Sequence, residues 1–177
     1  MNSPTVVFVL GCIGAGKSHY IEHTLSQMKP FSEYAIVIFD QVMIQLESYK
    51  DCKDGIVISW PPEQRSPCYL EALTKVDEEI DRLVAHRQSF IVEGAGTNVE
   101  SNVKAMLYQK SLGYKIIIHH IATPPSIAKE QVIKRNAQPE NIRYVTPELS
   151  IETYARLQVN LQAYMEIADE FVSISRL

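Results

Sequence analysis

One eight-residue segment near the start of the chain has the composition of a phosphate-binding loop. Residues 11–18 read GCIGAGKS and match the pattern G-x-x-x-x-G-K-[ST] at every fixed position. Glycines at these positions let successive backbone N–H groups converge on phosphate oxygens, and the start of a helix adds partial positive charge. Lys17 can then reach the β- and γ-phosphates of a nucleoside triphosphate, and the Ser18 hydroxyl can bind Mg²⁺. The residues expected to contact the nucleotide are Gly11, Cys12, Ile13, Gly14, Ala15, Gly16, Lys17, Ser18 and His19.

Two carboxylates follow predicted strands and are candidates for acting on an acceptor hydroxyl. Asp40 comes directly after the apolar run 35–39, and Glu93 follows the run 89–92 within the segment VEGAGT. In a parallel sheet a ligand lies beyond the carboxyl ends of the strands, so both side chains should face it. We assign Asp40 as the general base and Glu93 to the acceptor or to Mg²⁺, although the opposite assignment is also compatible with the sequence. Asp40 could instead cap the following helix.

Two arginines bracket a polar stretch near the last third of the chain. Phosphoryl transfer spreads negative charge over the equatorial oxygens, and kinases stabilise it with guanidinium groups on a mobile segment. We therefore predict that residues 135–147 form a lid-like segment whose Arg135 and Arg143 contact the transferring group. The alternative is that both arginines are solvated surface side chains.

The phosphate loop lies between a predicted strand and a predicted helix, and the same alternation continues along the chain. Short apolar runs predict strands at 5–10, 35–39, 89–92, 115–121 and 170–174. Apolar residues at helical spacing predict helices at 17–28, 98–112 and 126–134, with further stripes within 73–84 and 154–168. This order predicts a single α/β domain over 1–177, a three-layer sandwich with a central parallel sheet. The phosphate-loop strand should be central, as in P-loop proteins of the nucleoside-monophosphate-kinase-like type.

Composition and net charge limit the kinds of molecule that the chain is expected to bind. The chain has 177 residues, a net charge of −4 and 46% apolar residues, and a chain of this size can bury roughly 70% of its unfolded surface. The slight negative charge gives no global attraction for nucleic acid or anionic membrane, which favours a small ligand. Three cysteines without CxxC spacing, together with the lack of an apolar run of roughly 18 residues, predict a cytoplasmic protein.

Two other motifs compete with a kinase interpretation. Residues 19–23 (HYIEH) match the zinc-peptidase pattern H-x-x-E-H, but they begin in the helical turn already assigned to phosphate. Residues 74–77 (TKVD) match a guanine-recognition string, yet Val76 belongs to an apolar helical stripe and the sequence has no D-x-x-G switch. The motifs therefore favour a kinase over a peptidase or a switch GTPase.

Together these segments resemble the zeta toxin group of P-loop kinases. The elements that carry the resemblance are VEGAGTN after a strand, LGYK closing a helix, TPP after the next strand, an arginine-bearing helix, RYVTPE and the final ADEFVSI. The resemblance covers nearly the whole chain and is weakest at 49–67. It implies transfer of the γ-phosphate of ATP or GTP to a nucleotide sugar such as UDP-N-acetylglucosamine, with Mg²⁺, and an antitoxin protein as a partner.

The resemblance also assigns roles by position. Lys17, Asp40, Arg135 and Arg143 would be catalytic, Ser18 and Glu93 would bind the metal, and Asp40, Glu93, Ala95 and Thr97 would bind the acceptor. Ala95 and Thr97 depart from the family, which has Thr at the first position and often Arg at the second. The parts that transfer phosphate are therefore easier to recognise than those that select the acceptor.

The sequence therefore leaves open which molecule receives the phosphate. Phage-type polynucleotide kinases share the lid and the V-P step, so a nucleic-acid 5′-hydroxyl is the alternative acceptor. Such an enzyme needs a basic channel, and the divergent acceptor-side loop 49–67 offers only Lys50, Lys53 and Arg65. A third interpretation is a nucleotide-binding module without transfer, against which the presence of Asp40 and Arg143 argues.

Overall fold

The structure, a computed structural model, describes residues 3–52, 57–58 and 67–175. Its strands are β1 (Thr5–Leu10), β2 (Ala35–Val37), β3 (Val57–Ile58), β4 (Phe90–Gly94), β5 (Lys115–Ala122), β6 (Tyr144–Val145) and β7 (Glu170–Ser175). Its α-helices are α1 (Lys17–His23), α2 (Phe39–Met43), α3 (Tyr49–Cys52), α4 (Pro67–Ala85), α5 (Val99–Ser111), α6 (Pro125–Asn136) and α7 (Leu149–Ile167). Within the predicted loop 49–67, residues 53–56 and 59–66 lie outside the described residues.

Five parallel strands form the central sheet in the order β2-β4-β1-β5-β7. The middle strand is β1, which leads into the phosphate loop, and all six of its residues are buried. Its last residue, Leu10, pairs with Gly94 of β4 and His120 of β5, so the carboxyl ends of three strands meet at one edge. Burial on both faces explains why β1 and β5 are mainly apolar runs and not alternating patterns.

Helices cover both faces of this sheet. On one face an apolar cluster includes Leu83 of α4, Met106 of α5 and Tyr164 of α7. On the other face a second cluster includes Ile21 of α1 and Ala128 of α6. These two helical layers confirm the predicted three-layer α/β sandwich with the phosphate-loop strand at its centre.

A third apolar cluster lies beyond the carboxyl edge of the sheet. It joins α2, α4, α6, β6 and α7 through Met43, Ala72, Val132, Val145 and Leu149. The short strand β6 also pairs with β3. The segment predicted to be a lid is therefore attached to the fold by buried apolar contacts at this edge.

Several element boundaries differ from the predictions, and three of them move site residues. Phe39 and Asp40 belong to α2 and not to the end of a strand, because β2 stops at Val37. Glu93 lies inside β4, where pairing with Val9 of β1 extends the strand beyond Val92. Arg135 lies in the last turn of α6 and not in the following loop, since residues 126–138 contain neither proline nor glycine. The first helix is shorter than predicted because the backbone leaves the helical conformation at Thr24.

Two observations bear on location. No helix in the described ranges is long and apolar enough to cross a membrane. Cys12 is free and buried, whereas Cys68 is disulfide-bonded, a pairing that the sequence analysis did not predict. The cytoplasmic location therefore stays a prediction.

Candidate active site

The phosphate loop turns tightly between β1 and α1. Gly14 and Gly16 have φ values of +83° and +86°, a region that favours glycine. A side chain at Gly14 would also overlap the carbonyl oxygen of Ala128 and lie 2.8 Å from Val132 Cγ2. Glycine at position 14 thus lets the loop contact α6 directly.

Two side chains from other elements fix the loop. Thr123 Oγ1 donates to the Ala15 carbonyl oxygen over 2.9 Å, and the Ile13 N–H donates to Thr153 Oγ1 over 3.0 Å. Each bond joins positions more than 100 residues apart. The loop is therefore held in shape by the tertiary fold before a ligand binds.

Lys17 lies at the centre of this loop. Its Nζ donates to the carbonyl oxygens of Gly11 and Cys12 over 2.9 and 3.1 Å. Burial lowers the pKa of Lys17, and the negative charge of Glu93 opposes that shift. A nucleotide phosphate is a stronger acceptor than a carbonyl, so these two bonds can be exchanged for phosphate contacts.

Ser18 and Glu93 form the oxygen pair expected at a magnesium site. Ser18 Oγ donates to Glu93 Oε2 over 2.8 Å. Burial raises the pKa of Glu93, whereas the positive charge of Lys17 lowers it. Hydroxyl and carboxylate oxygens are ligands that Mg²⁺ takes, so the donor set fits the metal that the sequence implies.

The predicted base and one predicted arginine contact each other. Arg143 Nε donates to Asp40 Oδ1 over 2.6 Å, and the two side chains are only 15% and 20% exposed. The guanidinium also lies 5.8 Å from the ring centroid of Phe39. Asp40 makes no side-chain cap bond to α2, whose N-cap is Ile38, so its alternative role as a helix cap is wrong.

Arg135 differs from Arg143 in its surroundings. Its Nε and Nη2 atoms are buried and have no hydrogen-bond partner in the part of the chain that the structure describes. Burial, followed by the positive charge of Arg143, lowers the pKa of Arg135, but a guanidinium keeps its proton in proteins. Buried polar groups are normally paired, so this one fits an incoming anion such as a phosphate.

One cavity brings these side chains together. Its volume is about 530 Å³, and its walls include Lys17, Ser18, Asp40, Glu93, Arg135 and Arg143. Of the other predicted nucleotide contacts, Ile13, Gly14, Gly16 and His19 line it as well, whereas Gly11, Cys12 and Ala15 do not. Sequence reasoning missed Gln131 and Gln138, which also line it, although the position of Gln131 one helical turn before Arg135 is a signal that could have identified it.

A second cavity of about 580 Å³, here called the α4–α5 groove, adjoins the first. Glu93 lines both cavities. Asp77 and Asp81 of α4 and Lys104 and Gln109 of α5 line the groove further along. Asp77 belongs to the TKVD string, which lies inside α4 as the sequence predicts and has no loop geometry for binding guanine.

The predicted acceptor residues Ala95 and Thr97 line neither of these two cavities. Their segment is instead fixed from α7 by hydrogen bonds to backbone oxygens. Tyr164 donates to the Gly96 oxygen over 2.9 Å, and Asn160 donates to the oxygens of Gly96 and Thr97 over 2.9 and 3.2 Å. Acceptor binding by these two residues stays a prediction.

The competing zinc motif does not form a metal centre in the described ranges. His19 and His23 lie one helical turn apart with ring centroids 4.4 Å from each other. No group of three or more His, Cys, Asp or Glu side chains that could hold a metal occurs among the described residues. His19 lines the same cavity as Lys17 and Ser18, which is the nucleotide side of the molecule.

A phosphate loop at the end of a central parallel strand, with carboxylates and arginines around one cavity, is the arrangement of a P-loop kinase. A family model described as zeta toxin matches residues 1–175, so the chain belongs to the zeta toxin family. No curated protein matches it.

Solved structures agree on this fold. The PezAT chromosomal toxin–antitoxin system of Streptococcus pneumoniae has a TM-score of 0.74 and 19% identity, covering 99% of this chain and 70% of that chain. AvrRxo1-ORF1:-ORF2 with ATP has a TM-score of 0.61 and 13% identity over 93% of this chain and 50% of that one. Shikimate kinase from Bacteroides thetaiotaomicron has a TM-score of 0.51 and 13% identity, and the match covers 94% of this chain and 85% of that chain.

Proposed function

We propose that this kinase transfers the γ-phosphate of ATP to a hydroxyl group of a small-molecule acceptor. The observation that carries the proposal is the convergence of Lys17, Asp40, Arg135 and Arg143 on one cavity beside the phosphate loop. GTP is the alternative donor. A nucleotide sugar such as UDP-N-acetylglucosamine is the first acceptor to test, because family membership favours it.

Each side chain of the cavity has its own role in phosphate transfer. Lys17 and the loop N–H groups hold the β- and γ-phosphates, and Arg135 neutralises charge on the transferring group. Asp40 accepts the proton of the acceptor hydroxyl while that oxygen bonds to the γ-phosphorus. The bond from the γ-phosphorus to its bridging oxygen breaks, and ADP leaves. Mg²⁺ held by Ser18 and Glu93 would offset phosphate charge.

Arg143 has two roles, one toward Asp40 and one toward the γ-phosphate. Its ion pair with Asp40 keeps the base oriented while no phosphate is bound. A γ-phosphate carries more negative charge than one carboxylate, so Arg143 can turn to it and leave Asp40 available to the acceptor. The acceptor then lies in the α4–α5 groove, whose end is formed by Glu93, the residue shared with the nucleotide cavity.

The test is the Asp40→Asn variant, which keeps the shape of the side chain and removes the base. Transfer should fall by about 10²–10⁴-fold, while ATP affinity stays within about threefold. Glu152→Gln, on the exposed surface of α7 and outside both cavities, is the matched control and should change neither quantity. Transfer by Asp40→Asn at the unchanged rate would remove Asp40 from the role of base.

A polynucleotide kinase fits the same chain less well. The net charge is −4, and the groove beside Glu93 adds two carboxylates in Asp77 and Asp81. Nucleic-acid binding depends on neutralising backbone phosphates with Lys and Arg, which this surface does not favour.

An antitoxin protein, as in the PezAT system, is the partner that we propose for this chain. Family membership is the only support for this partner.

A further inference from the structure

Two asparagine side chains tie the end of α6 to the segment that carries Arg143. Asn136, the last residue of α6, donates from Nδ2 to the Val145 carbonyl oxygen over 2.7 Å and accepts from the Val145 N–H at Oδ1 over 3.1 Å. Asn141 donates from Nδ2 to the carbonyl oxygen of Arg143 over 2.7 Å. Asn141 Nδ2 also lies 3.5 Å from Asn136 Oδ1, so the two amides are neighbours, here called the asparagine pair.

The asparagine pair lies between the two arginines of the nucleotide cavity. Arg135 directly precedes Asn136 in the last turn of α6, and Asn141 bonds to the backbone of Arg143 itself. The chain between them turns through two backbone bonds of 3.1 Å, from the Gln138 N–H to the Arg135 oxygen and from the Asn141 N–H to the Gln138 oxygen. Each arginine is therefore connected through its backbone to one of the two asparagines.

The geometry at position 136 requires an amide side chain. An amide has both a donor and an acceptor, and Asn136 uses them on the peptide groups of one residue, as a neighbouring strand would. Aspartate has no donor for the Val145 oxygen, and leucine has neither group. Val145 is fully buried, so its backbone groups need partners within the protein, and Asn136 supplies one for each.

The backbone before Arg143 is held from a second direction. Tyr49 of α3 donates from its hydroxyl to the Ile142 carbonyl oxygen over 2.8 Å. The consecutive carbonyl oxygens of Ile142 and Arg143 thus each accept a hydrogen bond from a side chain. The backbone at Arg143 is therefore fixed independently of the ion pair between its guanidinium and Asp40.

We infer that Asn136 and Asn141 are positioning residues that set the separation of Arg135 and Arg143, so that both guanidinium groups reach one γ-phosphate. The inference rests on the proposed function, because it takes the γ-phosphate of ATP as the anion that the cavity receives. Arg143 then exchanges Asp40 for the phosphate by rotating its side chain about a fixed backbone. Misplacing such a group by about 1 Å can cost about 10²-fold in rate.

The test compares ATP with ADP, which lacks the γ-phosphate. Dissociation constants of both nucleotides, with Mg²⁺, are measured by isothermal titration calorimetry for the unchanged protein, Asn136→Ala and the milder variant Asn141→Ala. Each variant should lower the preference for ATP over ADP by about tenfold, because a charge-assisted hydrogen bond to the γ-phosphate is weakened. A general loss of stability would affect both nucleotides alike. A preference that is unchanged in both variants, or an unchanged protein that does not prefer ATP, would overturn the inference.

Asn98→Ala is the matched control, because Asn98 also bonds to the backbone through its side chain. Its Oδ1 accepts from the Ser101 N–H at the start of α5, and it lines neither of the two cavities described above. Loss of this helix cap should lower the stability and keep the preference for ATP. A preference that falls as far in Asn98→Ala as in Asn136→Ala would contradict the inference, because it would then follow stability alone.

A double-mutant cycle connects the effect of Asn141 to the arginine. In Arg143→Met there is no guanidinium left for Asn141 to position, so adding Asn141→Ala should change the preference for ATP by less than about twofold. An effect of Asn141→Ala that is equally large with and without the Arg143 guanidinium would overturn the inference.

Failure of the inference is distinguishable from failure of the proposed function. Loss of the preference for ATP in Asn136→Ala and Asn141→Ala, without transfer by the unchanged protein to any acceptor, would keep the positioning role and discard the kinase. Transfer at the unchanged rate and with the unchanged preference in both variants would keep the kinase and discard the positioning role.

Discussion

At the scale of single residues, most polar side chains of the active site have a hydrogen-bond partner within the protein. Lys17 donates to two backbone oxygens, Ser18 to Glu93, and Arg143 to Asp40. Arg135 is the exception, since two of its nitrogens are buried and unpaired among the described residues. The two arginines should therefore respond oppositely to the loss of their charge.

Arg135→Met keeps the aliphatic stem and removes a guanidinium whose Nε and Nη2 are buried without a hydrogen-bond partner among the described residues, although the charges of Asp40 and Glu93 attract it. We expect the free energy of unfolding without nucleotide to rise by about 1–2 kcal/mol, while transfer falls by about 10³-fold or more. Arg143→Met is the matched control. It leaves Asp40 without its partner and should lower the free energy of unfolding by about 1–3 kcal/mol.

Urea unfolding of both variants at pH 7, beside a transfer assay, measures this contrast. Equal destabilisation by the two substitutions would mean that the attraction of Arg135 to Asp40 and Glu93 outweighs the cost of its two nitrogens that lack hydrogen bonds.

At the scale of elements, the phosphate loop depends on close contact with α6. Gly14→Ala would place a methyl group against the Ala128 carbonyl oxygen at a φ of +83°. We expect the free energy of unfolding to fall by about 2 kcal/mol or more, together with loss of ATP binding. Gly94→Ala is the control for stability, because the nearest atom to its added methyl would be Leu10 Cδ2 at 3.7 Å.

Thermal unfolding of the two glycine variants provides the measurement. Gly94→Ala should change the free energy of unfolding by no more than about 0.5 kcal/mol. A Gly14→Ala protein as stable as Gly94→Ala would show that the loop can move away from α6 without cost.

The sequence predicts features that depend on local patterns better than features that depend on how elements pack together. The phosphate loop is a local pattern, so residues 11–18 and their flanking strand and helix were identifiable from spacing. Glu93 was placed after its strand because the apolar run ends at Val92, whereas pairing with β1 extends β4 through Gly94. Asp77 was not recognised as a groove residue, since the groove forms only when α4 packs beside α5 on the sheet. Long-range packing is not encoded in the periodicity of either helix.

At the scale of the whole molecule, the strand order determines where the two ligands meet. Because β1 lies beside β4, the phosphate loop and Glu93 reach the same edge of the sheet, and the nucleotide cavity continues into the α4–α5 groove. The nucleotide side contains a local sequence motif, whereas the proposed acceptor side has none that the sequence analysis could recognise. The central claim is that phosphate moves from one cavity to an acceptor in the other.

The most direct test is transfer of radiolabelled γ-phosphate from ATP with Mg²⁺ to a panel of UDP-N-acetylglucosamine, glucosamine, nucleosides and 5′-hydroxyl oligonucleotides. Lys17→Ala is the control, because it removes the phosphate-binding ammonium. We predict label on a small-molecule hydroxyl compound in the unchanged protein and its loss in Lys17→Ala. Label on the oligonucleotides alone, or tight ATP binding without transfer to any member of the panel, would contradict the account.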